Sequence, residues 1–264
     1  MDATEHTHDL GAGPQRLLLA QPSGSARSRP IRIAHRGGND RRALRRALAA
    51  GVDWIEADIW LHYGRLVARH DPTLWRLPIT YSRGSLSLVL APAMVLDTLV
   101  RATAQTATRV LIDLKGENVD LPARLVDALR TRGALHRAAL CGQKWEPLDV
   151  ARALEPELAV VFSLGRPEHL DAYLVRRRDD TAPPVASCYH GLLTPATVAS
   201  LKEAGTTIIA WTVDSQARAQ QLLLWGVDGI TSNRYTMLNR LRTGQSAAGD
   251  RQSRSPSAGQ RPIG

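Results

Sequence analysis

Residues 31–71, IRIAHRGGNDRRALRRALAAGVDWIEADIWLHYGRLVARHD, carry the reading on which the fold rests. They open with an apolar strand that ends on His35, Arg36 and a glycine pair. Asn39 or Asp40 can cap a helix over 41–50, which stops at Gly51. A second strand follows in DWIEADIW, and strand, helix and strand within about thirty residues make one βαβ unit. In that second strand Ile55, Ala57 and Ile59 share one face while Glu56 and Asp58 share the other, because successive side chains alternate. Flanked by Val52, Trp54, Trp60 and Leu61, the two carboxylates read as mostly buried, and buried anions repel each other and lose hydration. Something cationic belongs between them. A hairpin through His62, Tyr63 and Gly64 leads into a short strand over 66–68 that delivers His70 and Asp71 to its end. Taken alone, the stretch fits a buried ion pair and a surface histidine equally well.

The rest of the chain repeats the alternation. An irregular loop over 72–92 and a helix over 93–105 precede RVLIDLKG, where Ile112 and Leu114 face one way and Asp113 and Lys115 the other. This is the construction of the IEAD strand again, with a third carboxylate and a lysine two residues on. Helices over 121–132, 147–154, 168–178, 195–204 and 215–225 alternate with strands over 138–142, 158–164, 185–189, 207–212 and 229–231, and a last helix spans 235–242. Strands at Ile31, Trp54, Val110, Ala139, Ala159, Val185, Thr207 and Gly229 make eight βα units, which predict an α/β fold of the TIM-type (β/α)8 class. The barrel is expected over 30–242. Residues 1–29 read as a disordered leader, with His6 and His8 solvated, and 243–264 as a disordered tail.

At 264 residues the chain is long enough for one such barrel with a core that needs no staples. Hydrophobic residues make up 44% and charged residues 22%, as in ordinary globular proteins. The net charge of +9 is almost wholly arginine, since Lys115, Lys144 and Lys202 are the lysines of the chain. A basic surface steers anions inward. Nucleic-acid binding is not expected, because aromatics are few, Phe occurs once and no recognisable module is present. Cys141 and Cys188 lie in apolar runs and read as reduced core residues. The apolar run at 17–20 is too short for a signal-peptide core, and no segment approaches membrane-spanning length, so cytoplasmic residence without stable membrane insertion is expected.

Barrel active sites form at the C-terminal ends of the strands. His35 and Arg36 close the first strand, Glu56 and Asp58 lie late in the second, Asp113 and Lys115 close the third, and Trp211 closes the seventh. Glu56, Asp58 and Asp113 can therefore converge on one divalent ion, Mg2+ or Ca2+, as hard oxygen ligands. His35 and His70 would flank it, while Arg36 and Lys115 would complement an anion bridging to it. That set suits hydrolysis of a phosphate ester, one imidazole deprotonating a nucleophile and the other protonating the leaving alkoxide. His190, Gln143, Lys144 and Trp145 also follow barrel strands and are secondary candidates for substrate contact. His62 reads as solvated, His136 as the end of a helix, and Trp54, Trp60, Trp75 and Trp225 as packing residues.

HRG at 35–37, EAD at 56–58, HD at 70–71, DLK at 113–115, WTVD at 211–214 and the closing GVDGITSN resemble the glycerophosphodiester phosphodiesterase family over nearly the whole ordered region. The resemblance implies a metal-dependent barrel enzyme that cleaves a phosphodiester of glycerol to glycerol phosphate and an alcohol. It implies His35 and His70 as general acid and base, Glu56, Asp58 and Asp113 as metal ligands, Arg36 and Lys115 as phosphate contacts, and Trp211 as a wall of the substrate pocket. The chain departs from the family in three places. A PENT-containing loop after HRG is missing, the third ligand is Asp113 rather than glutamate, with Glu117 able to compensate, and the segment between Asp71 and Asp113 is short. A smaller lid suggests a small-molecule or lysolipid phosphodiester as substrate. The DLK variant also resembles sphingomyelinase D-like phospholipases, which can release cyclic phosphates but are typically secreted and disulfide-bonded. A catalytically silent barrel that binds phosphodiesters is the third reading.

Overall fold

The computed structural model describes residues 29–71, 79–82, 85–88 and 94–243, so the leader, most of the 72–92 loop and the tail expected from sequence fall largely outside the described residues, as does Trp75. In chain order the first elements are β1 (Ile31–Ala34), α1 (Arg41–Ala49), β2 (Trp54–His62), β3 (Arg65–Ala68), β4 (Ile79–Ser82), β5 (Ser85–Leu88) and β6 (Met94–Val95). Next come α2 (Leu96–Ala104), β7 (Arg109–Leu114), α3 (Leu121–Thr131), β8 (Ala138–Gly142), α4 (Glu146–Leu154), β9 (Ala159–Leu164) and α5 (Pro167–Arg178). The last are β10 (Val185–Tyr189), α6 (Pro195–Glu203), β11 (Thr207–Trp211), α7 (Gln216–Leu224), β12 (Gly229–Ser232) and α8 (Tyr235–Thr243).

Strands β1, β2 and β7 to β12 pair in parallel, and β1 joins both β12 and β2, so the sheet closes on itself as the eight-stranded barrel that the alternation predicts. Closure sorts each strand's side chains into two layers. Ile55, Ala57 and Ile59 of β2, Ile112 of β7 and Leu140 of β8 face outward into a shell packed by Leu44, Leu99, Leu125 and Leu148 of the helices. Ile33, Trp54, Leu111, Val161, Val185 and Ile209 face inward and plug the barrel. Each fully buried Ile or Leu contributes about 2 kcal/mol through area removed from water. Trp54 is thus a core residue, as expected, and Trp145 stacks on Phe162 with ring centres 4.6 Å apart.

Three expectations change. Helix α2 begins at Leu96, not at 93, because Met94 and Val95 are taken up as a strand edge beside β3. Part of the expected irregular loop is a hairpin, β4 against β5, where ITYS and SLSL alternate apolar and hydroxyl residues at the two-residue period of a strand. His136 lies in a single turn over Leu135–Arg137 and not at the end of a helix.

β2 is longer than its neighbours. It runs beyond the barrel's lip, where Ile59 to His62 pair antiparallel with Arg65 to Ala68 of β3. Arg69 N–H donates to the Asp58 carbonyl at 2.9 Å. Trp60 Nε1 donates to the Arg69 carbonyl at 3.0 Å. These two bonds set the place of His70.

At the opposite end a buried charge fastens the seam between β1 and β2. Arg32 is 1% exposed. Its Nε and Nη2 donate to the Asp53 carboxylate at 3.2 and 3.1 Å, and Nη2 also reaches the Gly51 carbonyl at 2.7 Å. Removing the acid alone strands a guanidinium in the core, which costs about 3 kcal/mol or more. Asp53→Ala is therefore expected to lower the unfolding free energy by about that amount in denaturant titration. An unchanged midpoint would show that the pair does not hold the seam.

Candidate active site

In parallel register Asp58 of β2 stands opposite Asp113 of β7. Glu56 lies one inward position below Asp58 on β2, and oxygens of the three carboxylates come within 4.8 Å of one another. Glu56 and Asp58 are 5% and 2% exposed. Burial, then the neighbouring Asp58 and Asp113 charges, push the Glu56 carboxyl well above the ordinary carboxylate range. Burial also raises Asp113, against the pull of Lys115. The Lys115 ammonium sits 2.5 Å from Asp113 Oδ2 and 3.0 Å from Asp58 Oδ1. Burial disfavours that charge, but the two acids outweigh it and hold Lys115 above ordinary lysine.

The turn after β1 supplies the other partners. Arg36 has φ of 53°, in the left-handed region that side chains seldom adopt. That turn points its N–H at Glu56 Oε2, 2.5 Å away. Its Nε is buried and lies 3.7 Å from Asp58 Oδ2. A Cβ on Gly38 would come within 2.7 Å of the Ala57 Cβ, so the bare glycine lets the turn lie flat on β2. Asn39 is thereby brought down onto Asp58, donating from Nδ2 to Oδ2 at 2.6 Å and accepting the Asp58 N–H at 2.9 Å. The helix cap falls to Asp40 alone, whose Oδ1 accepts from the N–H groups of Arg42 and Ala43 at 2.8 Å each.

Both histidines are backed by an acceptor at Nδ1. His35 Nδ1 is 2.9 Å from Asn233 Oδ1, and Asn233 Nδ2 donates to Asp214 Oδ2 at 2.9 Å. With the amide's donor end committed to Asp214, its oxygen faces His35; the network therefore assigns the proton to Nδ1 and leaves Nε2 as acceptor. Burial lowers the His35 pKa, with the Asn233 hydrogen bond opposing. Asp214 would be raised by burial, yet hydrogen bonds from Asn233 and Ser232 hold it below the ordinary range. His70 Nδ1 is 2.8 Å from Asp71 Oδ1, which fixes the same tautomer.

The three carboxylates, Arg36, Lys115, both histidines and Trp211 line one cavity of about 230 Å³ at the C-terminal ends of the strands. Trp211 is held by a hydrogen bond from its Nε1 to the Ser187 carbonyl, 2.9 Å. Gln143 joins the lining. Glu117 does not reach the acids: its side chain is 84% exposed and pairs with Lys144 at 2.5 Å, so it cannot compensate for the shorter Asp113. His190 and Trp145 stay outside the lining, the former offering its carbonyl to Arg218. His62 rests on Tyr63 in the β2–β3 hairpin. The sequence offers Asn39 only as a helix cap and gives Asn233 and Asp214 no role. The last two stand just after β11 and β12, where barrel geometry puts functional groups, so their position was a usable signal.

Three hard oxygen donors beside two fixed cations fit a divalent ion, the donor set that a barrel phosphohydrolase uses. A model of the glycerophosphoryl diester phosphodiesterase family matches residues 108–237. Those residues carry a domain of that family, whose members are phosphoric diester hydrolases. No curated protein matches it by sequence. Among solved structures, a Silicibacter pomeroyi DSS-3 protein provisionally named a glycerophosphoryl diester phosphodiesterase superposes with a TM-score of 0.69 at 19% identity, covering 87% of this chain and 97% of its own. A glycerophosphodiester phosphodiesterase from Parabacteroides distasonis ATCC 8503 gives 0.65 at 19% identity over 83% and 99%. An Oleispira antarctica phosphodiesterase, in complex with the product sn-glycerol-3-phosphate, gives 0.64 at 19% identity over 81% and 96%. At these identities the likeness is one of fold.

The histidine network makes a spectroscopic prediction. In an NMR titration of the protein His35 is expected to protonate below the ordinary histidine value of 6.5. Because the Asn233 bond works against burial, Asn233→Ala should lower that pKa further; a rise would contradict the assigned network.

Proposed function

We propose that residues 30–242 form a hydrolase that cleaves glycerophosphodiesters to glycerol phosphate and an alcohol. The observation that carries this reading is the convergence of three acids, two fixed cations and two backed histidines, from separate strand ends, on one small cavity. The family match and the product-bound Oleispira antarctica neighbour support it. Glu56, Asp58 and Asp113 would hold Mg2+ or Ca2+, and when bound the ion supplies charge stabilisation to phosphoryl oxygens.

The chain's own groups do the rest. Arg36 and Lys115 offer fixed positive charge to the phosphoryl group. His35 is neutral near pH 7, because burial lowers its pKa, and its Nε2 is free to take the proton of the attacking nucleophile. His70, whose ring is held at Nδ1 by the Asp71 carboxylate, has Nε2 left to carry the proton passed to the leaving alkoxide. Trp211 closes one side and keeps the ester from rotating away. Among the described residues no helix is long and apolar enough to cross a membrane, so substrate must reach the mouth from water or from a lipid surface.

The test is release of glycerol phosphate and choline from glycerophosphocholine in Mg2+ or Ca2+, with and without EDTA. Turnover should vanish with chelator. His35→Ala and His70→Ala should each cut kcat by about a thousandfold with unchanged circular dichroism, and wild-type rates in either would remove their roles. Glu56→Gln is expected to lose activity together with metal affinity. A cyclic phosphate in place of glycerol phosphate would instead support the cyclising chemistry of the sphingomyelinase D-like enzymes.

A further inference from the structure

We propose that a hollow at the N-terminal ends of β1, β2 and β7, at the opposite end of the barrel from the candidate active site, binds a phosphoryl dianion, either free or on a small ester. It is built from other residues than the phosphodiester site and does not depend on that reading.

The link from α1 to β2 and the link from α2 to β7 wall a cavity of about 490 Å³, whose lining includes Arg29, Arg32, Asp53, Thr106, Ala107 and Thr108. Its acceptors are already engaged. The Asp53 carboxylate takes the Arg29 guanidinium at 2.8 Å as well as that of Arg32, and its Oδ2 also accepts the Arg32 backbone N–H at 2.9 Å. Arg32 Nη2 holds the Gly51 carbonyl, and Arg137 Nη2 donates to the carbonyls of Thr106 and Thr108 at 2.5 and 2.9 Å. The Thr106 and Thr108 hydroxyls donate to the carbonyls of Thr103 and Val52, each at 2.9 Å. Donor capacity is left over. The Arg32 side chain lines the cavity and is 1% exposed, yet its Nη1 is buried with no hydrogen-bond partner among the described residues. An N–H group in that state carries a desolvation cost, which an incoming acceptor removes.

Charge points the same way. Arg29 and Arg32 share the Asp53 carboxylate. Burial, then the Arg137 charge, lowers the Arg109 pKa, with Asp53 opposing, so two further guanidiniums stand close enough to feel each other at this end of the barrel. Asp228, whose carbonyl accepts the Ile31 N–H beside them, spends its carboxylate on Lys202 and on the Ile208 N–H. One carboxylate is therefore in place among four guanidiniums, and positive charge remains. A ligand that settles the remainder needs more than one negative charge and several acceptor oxygens, which a phosphoryl group has and a carboxylate lacks. Arginine forks are shaped for such oxygens.

The experiment is calorimetric titration of the full chain with inorganic phosphate, methyl phosphate and acetate in EDTA, so that no divalent ion holds a ligand among the upper acids. It is run on wild type, on the Arg36→Ala, Lys115→Ala double variant, which strips the upper cavity of its cations, and on two lower-end variants, each confirmed as folded by circular dichroism. Arg29→Ala removes an outer guanidinium and leaves the buried Arg32–Asp53 pair in place. Ala107→Glu sets a tethered carboxylate at an exposed position of the cavity wall, where it competes for the same donors. Phosphate is expected to bind wild type and the upper variant alike, to weaken on the order of tenfold in Arg29→Ala, and to lose measurable binding in Ala107→Glu. Methyl phosphate binding as well as phosphate assigns the site to the phosphoryl group free or esterified, and binding of phosphate alone assigns it to the free ion. Loss in the upper variant with full affinity in both lower ones would place the anion among the active-site cations and overturn the inference. Acetate binding as tightly as phosphate would overturn it too, as would no binding of phosphate to wild type, which would mean that the hollow holds water only.

Discussion

Three carboxylates that share one small buried space set the terms for everything at the barrel's lip. Two unit charges 4 Å apart repel by about 4 kcal/mol at an effective dielectric of 20, and here three such charges meet. The balance is struck by the Lys115 ammonium between Asp58 and Asp113, by the Arg36 N–H on Glu56, and by the Asn39 amide clamped on Asp58. Each counterweight has its own structural cost. Arg36 accepts a left-handed backbone, Gly38 gives up a side chain, and Lys115 is taken out of water. A slip of one residue in the pairing of β2 with β7 would turn the acids into the apolar helix shell, so the register of that pair is specified by the charges as much as by the apolar pattern.

The two ends of the barrel carry different burdens. At the lower end Arg32 and Asp53 close the seam between the first and second strands with a buried ion pair, in which the Arg32 Nη1 has no hydrogen-bond partner among the described residues. At the upper end the cations contact their acids incompletely: the Arg36 Nε is buried with no hydrogen-bond partner among the described residues. The same residue types thus fasten the seam at one end and line the cavity at the other, the end at which barrels place their functional groups.

Much of this was legible in the sequence. Period-two alternation in IEAD and LIDL already puts the acids on one face and the aliphatics on the other, and repetition of strand and helix already counts to eight. The family model aligns only from residue 108 onward, yet HRG, EAD and HD upstream were readable because each falls at a strand end. What was not legible depends on approach in three dimensions. Asn39 looked like a helix cap, and only the close seating of Gly38 on Ala57 shows that its side chain points the other way. Glu117 looked close enough in sequence to help Asp113, but the turn through Gly116 carries it outward to Lys144. The hairpin of β4 and β5 was missed because its strands are four residues long and polar at every second position.

The second strand overshoots the barrel, and among the described residues its overhang is tied to His70 by the return strand and by two hydrogen bonds, from Arg69 N–H and from Trp60 Nε1. The return strand buries Val67 and Ala68 and is edged by Met94 and Val95, but the hairpin from Tyr63 to Arg65 is exposed, and regions with few buried contacts open far below the global unfolding free energy. The proposed proton donor therefore hangs on a latch while the other residues of the cavity stand on the staves of the barrel. Warming would swing that latch open long before the staves part, so the temperature at which such a molecule stops working and the temperature at which it melts are two separate properties.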